Sequence, residues 1–271
     1  MNLLLKTKLT VKRDEHDVIR VTFLGTGTSI GVPVITCDCP VCMSEDEHDK
    51  RLRTSVMVEV HGRTFVIDCG PDFRIQMLRE HVKNLDAVIF THEHRDHIAG
   101  LDDVRAFNYV LNKKIDIYGT KQVMEAIRIE FPYIFSDSRY FGAPQLTVHC
   151  IDEHPFLIHD VEFTPIQVLH EKLPVFGYRI GDFTYITDAS SITDKEKEKI
   201  AGSKVIVLNA LRNSRHVSHF SVSEAVDLLE ELKPEAAFLT HLSHFVGLHE
   251  EVNSRLPDYI RLAYDGLTLI I

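Results

Sequence analysis

No stretch of this chain approaches the roughly 20 consecutive apolar residues that a helix needs to cross a bilayer, which excludes a membrane-spanning helix. Basic residues are in deficit: 30 Lys and Arg face 40 Asp and Glu, a formal charge of −10 with His neutral. That balance argues against broad electrostatic binding to DNA or RNA, so no extended nucleic-acid partner is expected. A small anionic substrate stays open, because bound divalent ions would offset the charge locally. Low-complexity tracts, internal repeats and long linkers are all missing, so residues 1–271 read as one domain. The opening Met1-Asn-Leu-Leu-Leu-Lys-Thr-Lys8 is too short in its apolar part for a signal peptide, and the expected location is cytoplasmic. The composition does not choose between a monomer and a dimer. Apolar residues, at 44%, suffice for a sizeable core.

Against this ordinary background stands Thr91-His92-Glu93-His94-Arg95-Asp96-His97, with three histidines and an aspartate in the order His-x-His-x-Asp-His. Residues 85–91 read as a short buried strand, which puts the cluster in the loop at that strand's carboxyl end. Neutral imidazole nitrogens and a carboxylate oxygen suit zinc, manganese or iron. If the loop leaves the strand in a tight turn, His92 and His94 point one way and Asp96 and His97 the other. Two ions about 3.5–4 Å apart then share a bridging hydroxide, the usual device for in-line displacement at phosphorus or attack on a carbonyl. Such a pair needs three more ligands. His170, Asp188 and His241 each end a β-rich run. Singly each is an ordinary strand-end residue; together they would bring four strand ends to one rim.

The five cysteines are Cys37, Cys39, Cys42, Cys69 and Cys150. In Cys37-Asp-Cys39-Pro-Val-Cys42 three readings compete: disulfides, a thiolate metal site completed from elsewhere, or thiols without metal. Three is an odd number and no signal peptide precedes it, which argues against disulfides. In a reducing compartment such spacing points to zinc. Cys69 and Cys150 lie in apolar runs and are expected in the core.

The chain resembles the metallo-β-lactamase superfamily over residues 18–271, and His92, His94, Asp96 and His97 reproduce its signature. The resemblance implies an αββα four-layer sandwich and a dinuclear hydrolase. It implies one divalent metal, zinc or manganese, on His92, His94 and His170, and another on Asp96, His97 and His241. Asp188 would bridge the two. Within the superfamily the chain is most similar to the phosphoribosyl cyclic phosphate phosphodiesterases of phosphonate breakdown. Those carry a structural zinc closed by a histidine three residues after the last active-site histidine. His241-Leu-Ser-His244 fits, so a Cys37, Cys39, Cys42 and His244 zinc site is implied.

The same likeness makes His219, just before a capped helix, the residue that protonates the leaving oxygen or holds a phosphate. The alternative is a helix-entry histidine bonded only to backbone. His216 is the reserve substrate contact, with Arg212 or Arg215. Asp96 and His219 are thus the implied catalytic pair, and Asp68 an implied support of the metal loop. The implied function is hydrolysis of a small phosphodiester, such as a cyclic ribose phosphate, by metal-bridged hydroxide. Three other readings share parts of the pattern: a tRNA 3′-processing endonuclease, a thioester or lactam hydrolase, and a non-catalytic metal-binding regulator. No extended basic insertion separates Asp96 from His241, against the first. The cysteine cluster and His219 argue against the second, and the complete ligand set against the third.

Strand-like runs fall at 18–24, 55–60, 64–68, 87–90, 115–118, 146–151, 161–168, 176–180, 183–186, 205–209, 236–239 and 267–271. Helical runs fall at 72–80, 101–111, 121–131, 193–201, 222–232 and 248–256. His61-Gly62, Gly181-Asp182 and Asp265-Gly266 read as hairpin turns. Ser221 and Glu224 have capping-box spacing. Gly25-Thr-Gly27-Thr-Ser29 lacks the lysine of a P-loop and the third glycine of a dinucleotide fingerprint, and reads as a tight strand-to-loop turn. Asp194-Lys-Glu-Lys-Glu-Lys199 reads as a solvated helical face. Residues 108–114 and 133–144 are expected to shape the pocket. The aromatic-rich runs 131–135 and Tyr140-Phe141 read either as a lid or as packing at the edge of the core, and packing is expected.

Overall fold

Val56, Val58 and Val60 alternate with Met57, and both sets are buried. A strand apolar on both faces must lie between two covering layers, and that constraint organises the architecture. The computed structural model describes residues 18–136 and 141–271. The first half contains β1 (Arg20–Gly25), β2 (Ser55–Val60), β3 (Arg63–Ile67), α1 (Phe73–Arg79), β4 (Ala87–Ile89), α2 (Arg95–Ile98), α3 (Arg105–Leu111), β5 (Ile115–Gly119), α4 (Lys121–Glu130), α5 (Pro132–Phe135) and β6 (Leu146–Cys150). The second half contains β7 (Phe156–Ile158), β8 (Val161–His170), β9 (Leu173–Ile180), β10 (Phe183–Ile186), β11 (Ser191–Ile192), α6 (Asp194–Ile200), β12 (Val205–Asn209), α7 (Val222–Leu232), β13 (Ala236–Thr240), α8 (His249–Asn253), β14 (Ile260–Leu262) and β15 (Thr268–Ile270).

Two mixed sheets result, one ordered β15-β1-β2-β3-β4-β5-β6, the other β11-β8-β9-β10-β12-β13-β14 with β7 paired to β8. Phe23, Val58, Phe65, Ile89, Phe163, Tyr178 and Tyr185 form the core between them. The opposite face of the first sheet sends Met57, Val66, Val88 and Ile117 against Phe73, Phe107 and Met124 of the helices. The second sheet does the same through Ile166, Ile186, Ile206 and Leu239 against Leu228 and Leu229 of α7. This is the αββα sandwich of the metallo-β-lactamase type. Period-two strand patterns sort side chains between an inner core and two outer ones. Strands β3 to β6 run parallel, as do β10 and β12 to β14. Their carboxyl ends give each sheet one functional edge. Among the described residues no helix is long and apolar enough to cross a membrane. The opening residues on which the signal-peptide expectation rested lie outside the described residues.

Several local expectations are met. His61 and Gly62 turn β2 into β3 with φ of 52° and 71°, the pair of positive values that a two-residue hairpin demands. Ser221 and Glu224 form the capping box of α7.

Others need correction. Asp265-Gly266 is no hairpin turn, because β14 pairs with β13 in one sheet and β15 with β1 in the other. Its aspartate bonds Thr26 and the Leu52 N–H instead. Gly25 serves close approach, since a Cβ there would lie 1.9 Å from the Arg53 carbonyl oxygen. Cys150, at the end of edge strand β6, is exposed, and only Cys69 is core. In α6, Glu196 is buried and accepts from the Gln167 N–H, so that tract is not wholly solvated. Residues 101–111 divide into a 3₁₀ turn and α3. Asn108 bonds Lys113 O and Gln145 O beside the amino end of β5, so residues 108–114 close the far end of the sheet. Phe131 and Ile134 pack as expected. Phe141 is 94% exposed, and Tyr140 lies outside the described residues.

Phe163 is fully buried between Phe65, Phe156 and Tyr178. Phe163→Ala is expected to destabilise the fold by about 3–5 kcal/mol. A lower urea midpoint at unchanged slope would register it; an unchanged midpoint would deny the inner core its role.

Candidate metal centres

The rim is built at strand ends. Asp68 follows β3, residues 91–97 follow β4, His170 ends β8, Asp188 follows β10, and His241 follows β13. Asp68, Asp188 and His241 have φ of 66°, 57° and 56°. Side-chained residues occupy that left-handed region at a cost of about 1–3 kcal/mol and cluster where geometry is functional. Each stands just past the end of its strand.

The residues expected to form a dinuclear site do converge. His92 Nε2 and His94 Nδ1 are 3.0 Å apart. The His170 ring centroid is 5.8 Å from that of His92 and 5.1 Å from that of His94. Ligand atoms of Asp96, His97, Asp188 and His241 all lie within 4.8 Å of one another, and so do those of His170, Asp188 and His219. Asp188 belongs to both groups. Its Oδ2 is 3.4 Å from His97 Nε2, and its Oδ1 is 3.1 Å from both His241 Nε2 and His219 Nε2.

The rear nitrogens fix the rings. His97 Nδ1 donates to Asp68 Oδ2 at 2.7 Å, and His170 Nδ1 to Ser218 O at 2.7 Å. Thr91 Oγ1 donates to Asp68 Oδ2, so His92 Nδ1 donates to Thr91 Oγ1 at 2.9 Å. Each turns Nε2 toward the rim, the arrangement that orients metal-binding imidazoles. The buried Nε2 atoms of His97 and His241 face Asp96 and Asp188 at 3.1–3.8 Å without a well-aligned hydrogen bond, and His241 Nδ1 has no partner among the described residues. Orphaned buried nitrogens cost about 1–3 kcal/mol each and call for an explanation. A cation among them supplies one.

The electrostatics agree. Burial opposes charge on His97, yet Asp96, Asp68 and Asp188 push its pKa well above the usual imidazole value. His241 is also buried, and Asp188 and Asp96 still bring it up to about 9. Despite their own burial, Asp96 and Asp188 are held well below the carboxylate range by His97 and His241. Carboxylates that draw protons onto imidazoles draw a divalent cation by the same attraction. The donor set of imidazole and carboxylate fits zinc or manganese.

His219 is 9% exposed; its ring stacks on His241 at 4.8 Å and meets His170 edge-on at 4.5 Å. Burial holds it down to about 4, so the ring is neutral. His216 sits behind it, with Nδ1 3.1 Å from Ser218 Oγ and 3.4 Å from His219 Nδ1. Arg212 donates to Ser214 O and Arg215 O within its own loop, and Arg215 is 3.5 Å from Glu224. Sequence reasoning passed over Thr91 and Ser218. Thr91 was signalled by standing between strand and first histidine, whereas Ser218 acts through its carbonyl and carries no signal.

At the other centre, Cys37, Cys39 and Cys42 Sγ lie 3.3, 3.4 and 3.4 Å from His244 Nδ1. All are free thiols. A tetrahedron with bonds of about 2.0–2.3 Å has edges near these separations, so the four donors fit zinc. The Cys42 N–H directed at Cys39 Sγ brings that thiol down to about 6, while burial raises Cys42 to about 11. A cavity of about 480 Å³ lined by Ile19, His61, Asp160 and Ile271 contains none of these donors. Donor chemistry, not cavity size, marks the site.

Comparison with known proteins matches residues 63–242 to a model described as a β-lactamase superfamily domain. An octanoyltransferase from Porphyromonas gingivalis is 39% identical over 256 residues, covering 93% of this chain and 52% of that protein. A ribonuclease Z from Nostoc punctiforme is 30% identical over 191 residues, covering 67% of this chain and 51% of that protein. The chain thus spans about half the length of these curated relatives. Among solved structures, a diphosphatase from the PhnP family superposes with a TM-score of 0.87 at 40% identity, covering 93% of this chain and 97% of that one.

Asp68→Ala removes the acceptor behind His97 and Thr91. Metal affinity of the histidine rim is expected to fall about 10–100-fold, read as metal retained after dialysis against graded chelator. Retention equal to the parent chain would mean that Asp68 does not orient the rim.

Proposed function

The chain belongs to the metallo-β-lactamase superfamily, within its PhnP family, and from that footing we propose that this metal-dependent hydrolase cleaves a small phosphodiester at a dinuclear centre. The observation that carries the reading is the rim itself. Five imidazoles and two carboxylates from four strand ends meet there, with three rings locked from behind and buried Nε2 atoms facing carboxylates. His92, His94 and His170 would hold one ion, Asp96, His97 and His241 the other, with Asp188 between them. Divalent ions there would acidify water toward neutrality and draw charge from the phosphoryl oxygens.

The chain's own residues do the rest. Asp68, Thr91 and Ser218 hold the Nδ1 proton of His97, His92 and His170, so Nε2 is the nitrogen each ring would offer a metal. Asp188 holds His219 and His241 through one oxygen. His219, neutral and with Nε2 on the rim side, is the group that donates a hydrogen bond or proton to the departing oxygen. His216 backs that ring and is the reserve substrate contact. Cys37, Cys39, Cys42 and His244 would hold a structural zinc that stiffens the segment carrying His241. The diphosphatase name of the structural neighbour makes a small diphosphate the nearest variant of this chemistry.

The ribonuclease Z likeness supports a second reading, cleavage of a tRNA precursor. Against it stand the charge of −10 and the filling of the described residues between Asp96 and His241 by strands, helices and their connections. The transferase name belongs to a protein about twice as long, of which this chain matches 52%.

Bis(p-nitrophenyl) phosphate and a five-membered cyclic ribose phosphate are expected to be hydrolysed with manganese or zinc. His92→Ala should lose metal and turnover together. His219→Ala should keep its metal and lose about 10²–10⁴-fold in rate; marked metal loss would make it a ligand instead. A metal-replete chain that cleaves tRNA precursor but neither diester would replace the proposal with the second reading.

A further inference from the structure

The two candidate centres share one short segment, His241-Leu242-Ser243-His244, and its middle is clamped. The Leu242 N–H donates to Thr26 O at 2.8 Å, and Leu242 O accepts from the Thr28 N–H at 3.1 Å. His241, immediately before, has the left-handed φ of 56°. A side-chained residue persists there only where its surroundings fix it, and the clamp is the neighbouring constraint.

Thr26 is held in turn. Its Oγ1 donates to Asp265 Oδ1 at 2.8 Å and accepts from Arg51 Nη1 at 2.8 Å. Arg51 is 5% exposed; its Nη1 also donates to Ala263 O at 2.6 Å, and Nη2 lies 3.1 Å from His249 Nδ1. Its backbone exchanges hydrogen bonds of 2.7 and 2.9 Å with Val32, at the root of the loop bearing Cys37. Asp265 Oδ2 accepts from the Leu52 N–H at 2.8 Å and from Arg79 Nη1 at 3.3 Å. A buried cation and carboxylate therefore share one hydroxyl, and that hydroxyl's residue grips the backbone beside His241.

We infer that Thr26, held by Arg51 and Asp265, is the positioning residue that sets His241 in the dinuclear centre. The inference rests on the dinuclear reading proposed above. Thr26 reaches His241 through its hydrogen bond to Leu242. Its hydroxyl both donates and accepts, so valine, with the same outline, removes both bonds and leaves Arg51 and Asp265 each short of a partner. Serine keeps both.

Cobalt(II) titration of the full chain, followed by absorption, separates the two centres. Near-ultraviolet charge transfer counts the cobalt on thiolates, and total cobalt retained after dialysis, less that count, gives the cobalt on imidazoles and carboxylates. Thr26→Val is expected to weaken the imidazole–carboxylate population about 10–100-fold with the thiolate signal retained, and Thr26→Ser to restore it to within a few-fold. Asp265→Asn serves as the second variant should Thr26→Val fail to fold, with the same selective weakening expected. Unchanged cobalt binding in the folded variant, equal weakening of both populations, or a serine variant as weak as valine would overturn the inference. A parent chain that takes cobalt only on thiolates would overturn the dinuclear reading itself, and the inference with it.

Discussion

Asp68 is the carboxylate on which the histidine rim depends. It is fully buried at the end of β3 and accepts three hydrogen bonds, from the Thr91 N–H, the Thr91 hydroxyl and His97 Nδ1. Burial pushes its carboxyl up, while His97 and the converging donors pull it back. An uncompensated carboxylate in such a place would cost several kcal/mol. The three donors come from the residues that must be oriented, so compensation and orientation are one interaction. Through Thr91 the same carboxylate reaches His92. Two residues on, Gly70 packs so closely that a Cβ would lie 2.0 Å from Asp96 O, and no other residue fits beside the loop.

The rim also straddles two sheets, so its spacing is set by whatever fixes one sheet against the other. Apolar packing of Phe65, Phe163 and Tyr178 provides bulk cohesion but little directional control. Direction comes from polar ties close to the rim. Tyr178 Oη donates to Phe90 O at 2.6 Å, and the Phe176 N–H to Thr91 O at 3.1 Å. Thr54 Oγ1 links to Thr240 Oγ1 at 3.0 Å and Tyr185 Oη at 3.3 Å. These ties flank the strand ends that carry residues 91–97 and His241. A shift between the sheets would break several buried hydrogen bonds together, and such cooperative networks resist partial displacement.

The inner parts of this design were legible in the amino-acid sequence, because they obey short-range rules. Both-face apolar strands, the His61-Gly62 turn, the Ser221 cap and the His-x-His-x-Asp-His loop each follow from residues within a few positions of one another. What stayed hidden is non-local. Asp265-Gly266 has the composition of a hairpin turn, but its neighbours join different sheets, which depends on pairing partners more than 200 positions away. Cys150 and Glu196 were misjudged because burial depends on which strand ends a sheet and which helix lies over it. Short elements such as β11 and β14 exist only through pairing with β8 and β13; two or three residues carry no period. Ser218 contributes a carbonyl, a group that every residue has.

On the proposed reading, the charges of the site and of the chain select substrate size. Asp68, Asp96 and Asp188 contribute −3 and two divalent ions +4, so the rim carries +1 within a chain of formal charge −10. Screening limits the reach of that local excess to about 8 Å at physiological ionic strength. A compact phosphodiester fits inside this radius and meets only the attraction. A folded RNA extends far beyond it and must lay further phosphates on a surface where acids outnumber bases. To bind there it would need basic residues gathered apart from the rim. Arg212 is already bonded within its own loop, and Arg215 faces Glu224. The field therefore opposes a long polyanion at the distances where a small one no longer feels it, and the same histidine rim discriminates by size without touching the distal part of either substrate.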